Sequence, residues 1–457
     1  MKQVACALIV LSLIMGCTKP QAGQKPQTGA NLQGGQKPQA STSARPQATS
    51  TASTASPTTA SAPASPVESI HRAVLEWFDN AIATGMIEKM VPAAEQAADR
   101  FIAGGEEFVT GNRGFCDELH YRAGGFPFTA IWQSQKLTTN DVLVIGQFRP
   151  DWEDFNWSQL TPKGRREELG DPMIVHFASH RWKEMKSFLP KTRPTPQEGV
   201  YLFDTGGPAG ESLEAVCVNQ VATTALIWAF HGEVISAATR KGKTFSTYAS
   251  DWEPDGPEWD QSVIGTTLHP KYKVPAIEAG KIGTEYLATC RKYIAAFAAT
   301  QAAQARKAGK RVAQAAASGN QAYIITNAHV HTAGSIIPSK LTHVSMCGRE
   351  SSFGYVAGQL RAGDVLLWFG YLRYPSDCIE TAIARGADAA VVTVDKGPDD
   401  DHHIHMLGCW KDYDTVIDLP RYPIRVLPCS AVVQTPQWYS VLGEAAAQMK
   451  DRKTGRP

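Results

Sequence analysis

The sequence predicts an α/β chain of two similar halves built on parallel sheets, preceded by a leader and a linker that do not fold. Three observations carry this. From about residue 67 onward, short apolar runs alternate with helical stretches, the pattern of strands buried on both faces and connected by helices. The order of these runs in the first half recurs in the second at a spacing of roughly 220 residues, the mark of an internal duplication. Residues 18–66, by contrast, are Pro/Gln/Ser/Thr/Ala-rich with Leu32 as their single large apolar residue, and such a segment cannot bury a core.

Taken in order, the first element is an amphipathic helix, because Ile70, Val74, Trp77/Phe78 and Ala81/Ile82 recur at helical spacing. A second helix is expected over about 92–103. A strand follows at 107–110, then the loop Gly111-Asn112-Arg113-Gly114. Further strand-like runs lie at 128–132, 141–145, 173–178 and 200–204, and a long apolar helix over about 213–238 closes the half. The second half opens with an Ala-rich helix over about 281–317. Runs at 322–326, 342–346, 364–369, 389–394 and 415–419 follow, then a helix near 432–449. Asp141-Val142-Leu143 matches Asp364-Val365-Leu366, and Ile174-Val175 matches Ala390-Val391. The boundaries read as 1–17 leader, 18–66 linker, 67–270 first domain and 271–457 second domain.

The 457 residues carry 45 basic and 44 acidic side chains, and Glu68 is the first acidic one; from residue 67 the balance is 40 basic against 44 acidic. A mildly acidic folded part gives no electrostatic footprint for nucleic acid. Lys2, the apolar run 4–15 and Gly16-Cys17 read as an export signal too short to span a bilayer. Ile14-Met15-Gly16-Cys17 resembles a bacterial lipobox, which implies lipidation of Cys17. The expected location is the bacterial cell envelope, lipid-anchored and facing the periplasm or exterior, with contact to the membrane through the lipid only. As a coil, 18–66 reaches on the order of 40 Å, enough to serve as a tether. No later segment is expected to cross a membrane. Beyond Cys6 and Cys17 seven cysteines remain, with no CxxC pair, so no disulfide framework is expected.

The motifs suggest a family. Gly363-Asp364-Val365-Leu366-Leu367, continuing to Cys378-Ile379-Glu380-Thr381-Ala382 and Arg385-Gly386-Ala387, resembles the second strand–loop–helix unit of SIS (sugar isomerase) domains. Tyr121-Arg122-Ala123-Gly124-Gly125 and Asp204-Thr205-Gly206-Gly207-Pro208-Ala209-Gly210 resemble segments of an uncharacterised bacterial SIS subfamily. Cys116-Asp117-Glu118-Leu119-His120-Tyr121 is similar to a helix of phosphoheptose isomerases. The resemblance covers residues 68–457 in two copies. It implies two tandem three-layer α/β/α domains, each with a five-stranded parallel sheet, and a sugar ligand at the carboxyl ends of the strands.

Two departures from the family shape the functional expectation. Its Ser-x-Ser-Gly phosphate loop is replaced by Gly370-Tyr371-Leu372-Arg373-Tyr374-Pro375-Ser376 and by Gly146-Gln147-Phe148-Arg149-Pro150-Asp151. An Arg with aromatic neighbours suits stacking on a sugar and pairing with a carboxylate or sulfate. The expected ligand is therefore a neutral or acidic sugar without phosphate, with Asn112, Arg113, Arg149, Tyr371 and Arg373 as substrate-binding residues. Proton transfer next to a carbonyl needs Glu or His, and Glu118, His120, His329 and His331 are the candidates. Where phosphoheptose isomerases carry a further Glu one turn on, this chain has Gly124.

His402, His403 and His405 follow Asp399-Asp400-Asp401 and are expected on the same sheet edge as His329 and His331. Imidazoles with carboxylates suit zinc or another divalent metal. Gln220 and His231 share a helix face, with His231 read as a core residue. Trp252, Asp255, Trp259 and Asp260 suit either sugar contacts or a domain junction. Two functions compete: a carbohydrate-active enzyme (isomerase, epimerase or lyase) and a non-catalytic lipoprotein that captures a glycan or cell-wall fragment. In either case one composite site between the two halves is expected.

Overall fold

The computed structural model describes residues 65–120, 122–147, 169–178, 199–326, 341, 344–346, 352–410 and 413–453. Helix α1 (Pro66–Ala83) starts at the N-cap Ser65, whose hydroxyl accepts from the Glu68 N–H, and it buries Ile70, Val74, Trp77, Phe78 and Ala81. Its successor α2 (Met86–Ile102) begins earlier than expected and carries Pro92 inside it. The turn between them is made by Gly85 at φ 63°, a left-handed conformation that suits glycine.

The first sheet comprises β1 (Glu107–Gly111), β2 (Thr129–Ile131), β3 (Val142–Gln147), β4 (Met173–Ala178) and β5 (Val200–Asp204), all parallel in the order β2-β1-β3-β4-β5. Between β1 and β2 lies the short helix α3 (Arg113–Leu119); α4 (Leu213–Arg240) follows β5, and α5 (Gly256–Val263) follows α4. The second half begins with α6 (Lys281–Ala317). Its sheet holds β6 (Ala322–Thr326), β7 (Val344–Met346), β8 (Val365–Phe369), β9 (Asp388–Thr393) and β10 (His403–Leu407), with α7 (Phe353–Gln359) before β8 and α8 (Ser376–Ala384) after it. These strands are also parallel, in the order β10-β9-β8-β6-β7. Written from its own first strand, each sheet has the order 2-1-3-4-5, a doubly wound arrangement.

The duplication extends to single hydrogen bonds. Asp141 accepts from the Glu106 and Thr138 backbone N–H groups at 2.9 and 2.6 Å. Asp364 accepts from Gln321 and Arg361 at 2.9 and 2.8 Å. Each carboxylate thus ties the start of the third strand to the start of the first. Register shifts one match: Leu143 pairs with Ile174 and Leu366 with Ala389, so Ile174 corresponds to Ala389 and not to Ala390.

Two expectations are corrected. The fifth strand of the second sheet is His403–Leu407, whereas Thr415–Ile417 (β11) pairs antiparallel with Val426–Pro428 (β12) in a separate ribbon. Histidines at 403 and 405 masked the strand, although Ile404 and Met406 between them alternate into the core. The other correction concerns membrane-length segments: by length and composition, α4 is long and apolar enough to span a bilayer. Its residues 215–239 are all buried in the protein. It is a core helix, buried around its whole circumference and mostly apolar because it is surrounded.

The described residues form one compact unit. Its centre is helical: α6 packs along α4, α1 and the C-terminal helix α9 (Ser430–Lys453), and α4 also packs on α2 and α9. Val142, Val144, Val175 and Phe177 of the first sheet and Ile324, Val365, Leu367 and Phe369 of the second enter the same apolar cluster. The opposite face of the second sheet buries Ile325, Leu366 and Trp368 against Val356 of α7 and Ile379 of α8. That sheet therefore has helices on both faces.

Candidate active site

The carboxyl end of β8, the middle strand of the second sheet, opens into a cleft of about 380 Å³. Its walls come from both halves of the chain: Trp252 from the first, and Trp368, Arg373, Tyr374, Ser376 and Asp377 from the second. The loop leaves β8 at Gly370, whose N–H donates to the Val392 carbonyl and whose own carbonyl accepts from Gln434 of α9. A Cβ at Gly370 would lie 2.6 Å from the Thr393 methyl, so glycine lets the loop turn here. The Arg373 guanidinium carbon lies 5.4 Å from the centre of the Trp252 ring, within cation–π range. Trp252 remains 42% exposed, among the most exposed large apolar side chains described. The cleft thus offers an aromatic plane, one guanidinium, a hydroxyl and a carboxylate.

Tyr371 stands behind this cleft and not in it. It is buried, its ring lies 6.3 Å from that of Trp252, and its hydroxyl donates to the Tyr413 carbonyl at 2.7 Å. Burial holds its phenol well above the ordinary range.

On the far side of Tyr371 lies a buried polar network that joins the halves. Arg122 Nη2 donates to Asp414 Oδ2 at 2.6 Å and to Ser430 Oγ at 2.7 Å, and its Nε reaches Glu118 Oε1 at 3.4 Å. Trp228 Nε1 donates to the same Glu118 oxygen at 2.9 Å. Asp414, at φ 83°, turns its other oxygen to the Cys429 and Ser430 N–H groups. Glu118, Arg122 and Asp414 are at most 2% exposed. Burial pushes the Glu118 carboxyl up to about 7, opposed by Arg122 and the Trp228 hydrogen bond. Arg122, by contrast, is held firmly protonated by Asp414 and Glu118 against the cost of its burial. A carboxyl so placed can hold a proton near neutrality, but its partners are protein groups.

Gly124 explains why no Glu stands one turn on. Its φ is 76°, and a Cβ there would come within 2.5 Å of the Leu427 backbone nitrogen, so the position serves contact between the halves. Half-buried His120 is the C-cap of α3, with its imidazole pKa lowered by burial. The backbone N–H of Asn112, at the N-terminal end of α3, donates to the Gly146 carbonyl at 3.1 Å. The side chain of Arg113, together with Cys17, Arg149, His329 and His331, lies outside the described residues. His231 is a core residue, as expected, with Nε2 2.8 Å from Glu107 Oε2. Trp259 belongs to the junction, donating to the Thr247 carbonyl and ringed by His269, Tyr272 and Tyr422.

The C-terminal histidines do not converge. His402 Nδ1 lies 2.8 Å from Asp388, His403 Nδ1 2.8 Å from Asp400, and His405 Nε2 2.9 Å from Thr393 Oγ1. Because His403 pairs with Ala389 near the start of β9, His402 and His403 lie at the amino edge of the sheet, opposite the edge expected for them. The chain crosses the sheet between 394 and 402, which the missed fifth strand had concealed. Among the described residues no three His, Cys, Asp or Glu side chains are grouped to hold a metal.

Sequence reasoning missed Arg122 and Asp414 as partners, and Trp368 as cleft floor. Only Arg122 carried a signal, as part of a family-like segment. The pairing itself crosses roughly 290 residues and has no local signature.

No protein-family model matches the chain, and no curated protein sequence matches it. Among solved structures, it is similar to the C-terminal domain of glucosamine-fructose-6-phosphate aminotransferase from Francisella tularensis, at 9% identity and a TM-score of 0.46, over 84% of this chain and 97% of that one. A protein described as sugar-binding from Salmonella typhimurium matches at 10% identity and a TM-score of 0.46, over 84% and 99%. One described as a tagatose-6-phosphate ketose/aldose isomerase from Clostridium novyi matches at 7% identity and a TM-score of 0.38, over 84% and 88%.

Proposed function

We propose that this chain is a tandem SIS-type lipoprotein of the bacterial envelope that binds, and transforms next to a carbonyl, a sugar lacking phosphate. The observation that carries the binding part is the meeting of Trp252 and Arg373, one from each half, in a cleft at the carboxyl end of a central strand. Ligands of doubly wound sheets sit outside that edge, and an exposed indole is a platform for a sugar ring. The loop that holds phosphate in SIS proteins through Ser-x-Ser-Gly here reads Gly370-Tyr371-Leu372-Arg373-Tyr374-Pro375-Ser376, an Arg flanked by aromatic residues. Lipidation of Cys17 and export rest on the leader sequence and belong to the same proposal.

A specific observation favours the second reading, a binding protein without turnover. The described residues that line the cleft include neither a Glu nor a His, and Glu118 is engaged by Arg122 and Trp228. Proton transfer then falls to His329 and His331, in the segment that follows β6, the strand hydrogen-bonded to β8.

Calorimetric titration of the full chain against an oligosaccharide and uronic-acid panel, with and without zinc, tests both readings. We expect saturable binding that weakens at least about tenfold in Trp252→Ala. Binding unaffected by that substitution would remove the cleft from the proposal. Turnover abolished in His329→Ala supports the enzyme, whereas binding with no turnover of any sugar leaves the capture protein.

A further inference from the structure

We infer that the ligand of the Trp252–Arg373 cleft is a glycan unit carrying a single carboxylate, read by Arg373; this rests on the sugar-binding reading above. The first ground is how the guanidinium is held. Arg122, Arg240, Arg291 and Arg311 each meet a carboxylate. Among the described residues Arg373 forms no ion pair and lies over an indole ring instead. Its position is set by the ring while its N–H donors stay available for a planar anion.

Charge count supplies the second ground. Arg373 is the one cation among the described lining residues, and Asp377 at the start of α8 is the one carboxylate. Asp251 and Glu253 flank Trp252 in the chain. A monoanion on Arg373 is balanced by it, whereas the second charge of a phosphate would face Asp377 with no further cation among the described lining residues to receive it. Asp377 and the Ser376 hydroxyl are suited to accept from or donate to ring hydroxyls.

The third ground concerns neutral sugars. A neutral ring stacked on Trp252 would cover the adjacent guanidinium, and a covered cation that forms no ion pair loses hydration that nothing replaces. Carboxylate and aromatic plane are therefore read together, through the 5.4 Å contact that couples them.

The test is titration of the full chain with hexuronate-terminated oligosaccharides, their carboxyl-reduced counterparts and their 6-phosphorylated counterparts. Carboxyl reduction changes only a carboxylate into a hydroxymethyl group. We expect the uronate to bind at least about tenfold more tightly than either counterpart, the size of one charge-assisted bidentate contact. Arg373→Gln should erase that preference, bringing the uronate to the affinity of its reduced counterpart in the same variant, and Trp252→Ala should weaken all three. Equal affinity for acidic and reduced forms, or tightest binding of the phosphate, overturns the carboxylate inference and leaves the sugar-binding reading standing. Failure of every saccharide to bind overturns both.

Discussion

Arg122 stands between two acidic side chains in the dry centre of the molecule. Removing it as Arg122→Met would leave Asp414 and Glu118 buried without a cation. We expect a loss of about 3–5 kcal/mol in urea denaturation, the range for breaking one partner out of a buried ion pair. Glu118 gives a second measurement. Its carboxyl pKa is raised from 4.5 to about 7 in the folded chain, so between those pH values the native state keeps a proton that the unfolded state has lost. The group's contribution is complete below about pH 4.5 and is lost as pH rises through 7. Glu118→Gln should flatten the slope of unfolding free energy against pH across that window, as read by denaturation midpoints at intervals of half a pH unit. Legibility in the sequence differs among these residues. Glu118 and Arg122, four residues apart, were visible because each sits in a motif, but the pairing of Arg122 with Asp414 was not, since it joins residues 292 positions apart. Trp252 and Arg373 were each visible as sugar-suited residues. Their contact was not, because neither lies within one element of the other.

At the scale of elements, the apolar runs marked strands well where both faces are buried. Strands at 173–178, 200–204 and 322–326 and the helix at 281–317 fall where the pattern puts them. Reading failed at His403–Leu407, where polar residues take one face of an edge strand and the alternation is short. The Asp141 and Asp364 ties offer a prediction at this scale. Replacing either by Asn turns one acceptor oxygen into a donor facing a backbone N–H. Each variant should lose about 1–3 kcal/mol, the cost of stranding a buried donor, and the two losses should be similar because the geometry is repeated. Unequal losses, measured by thermal and urea denaturation, would show that the copies have diverged in how their strands are tied. Gly124→Ala belongs here as well. At φ 76° with Leu427 N only 2.5 Å from the added methyl, it should destabilise by about 1–3 kcal/mol, whereas Gly210→Ala, also at positive φ but with nothing near its Cβ, should cost less.

For the whole molecule, there are two sheets of the same order but not two independent cores. Helix α6, about 55 Å long at 1.5 Å per residue, lies against helices of the first half as well as α9. Expressed apart, 65–270 and 271–453 should each lack a cooperative unfolding transition by circular dichroism, and mixing them should restore it. Independent, cooperative unfolding of either piece would show that the shared helical centre is dispensable.

Helix α4 has a consequence for biogenesis. On the export route proposed above, Leu213–Arg240 would enter the translocation channel before α6 and α9, two of the helices that pack on it, and by length and apolar character it satisfies the requirements of a stop-transfer sequence. The folded protein never presents this choice, yet the emerging chain does. Asn219, Gln220, His231 and Glu233, all buried within the helix, then acquire a meaning separate from packing: four polar groups raise the cost of lateral exit into lipid. On that route, making α4 more apolar would favour its release into the bilayer over its passage to the far side.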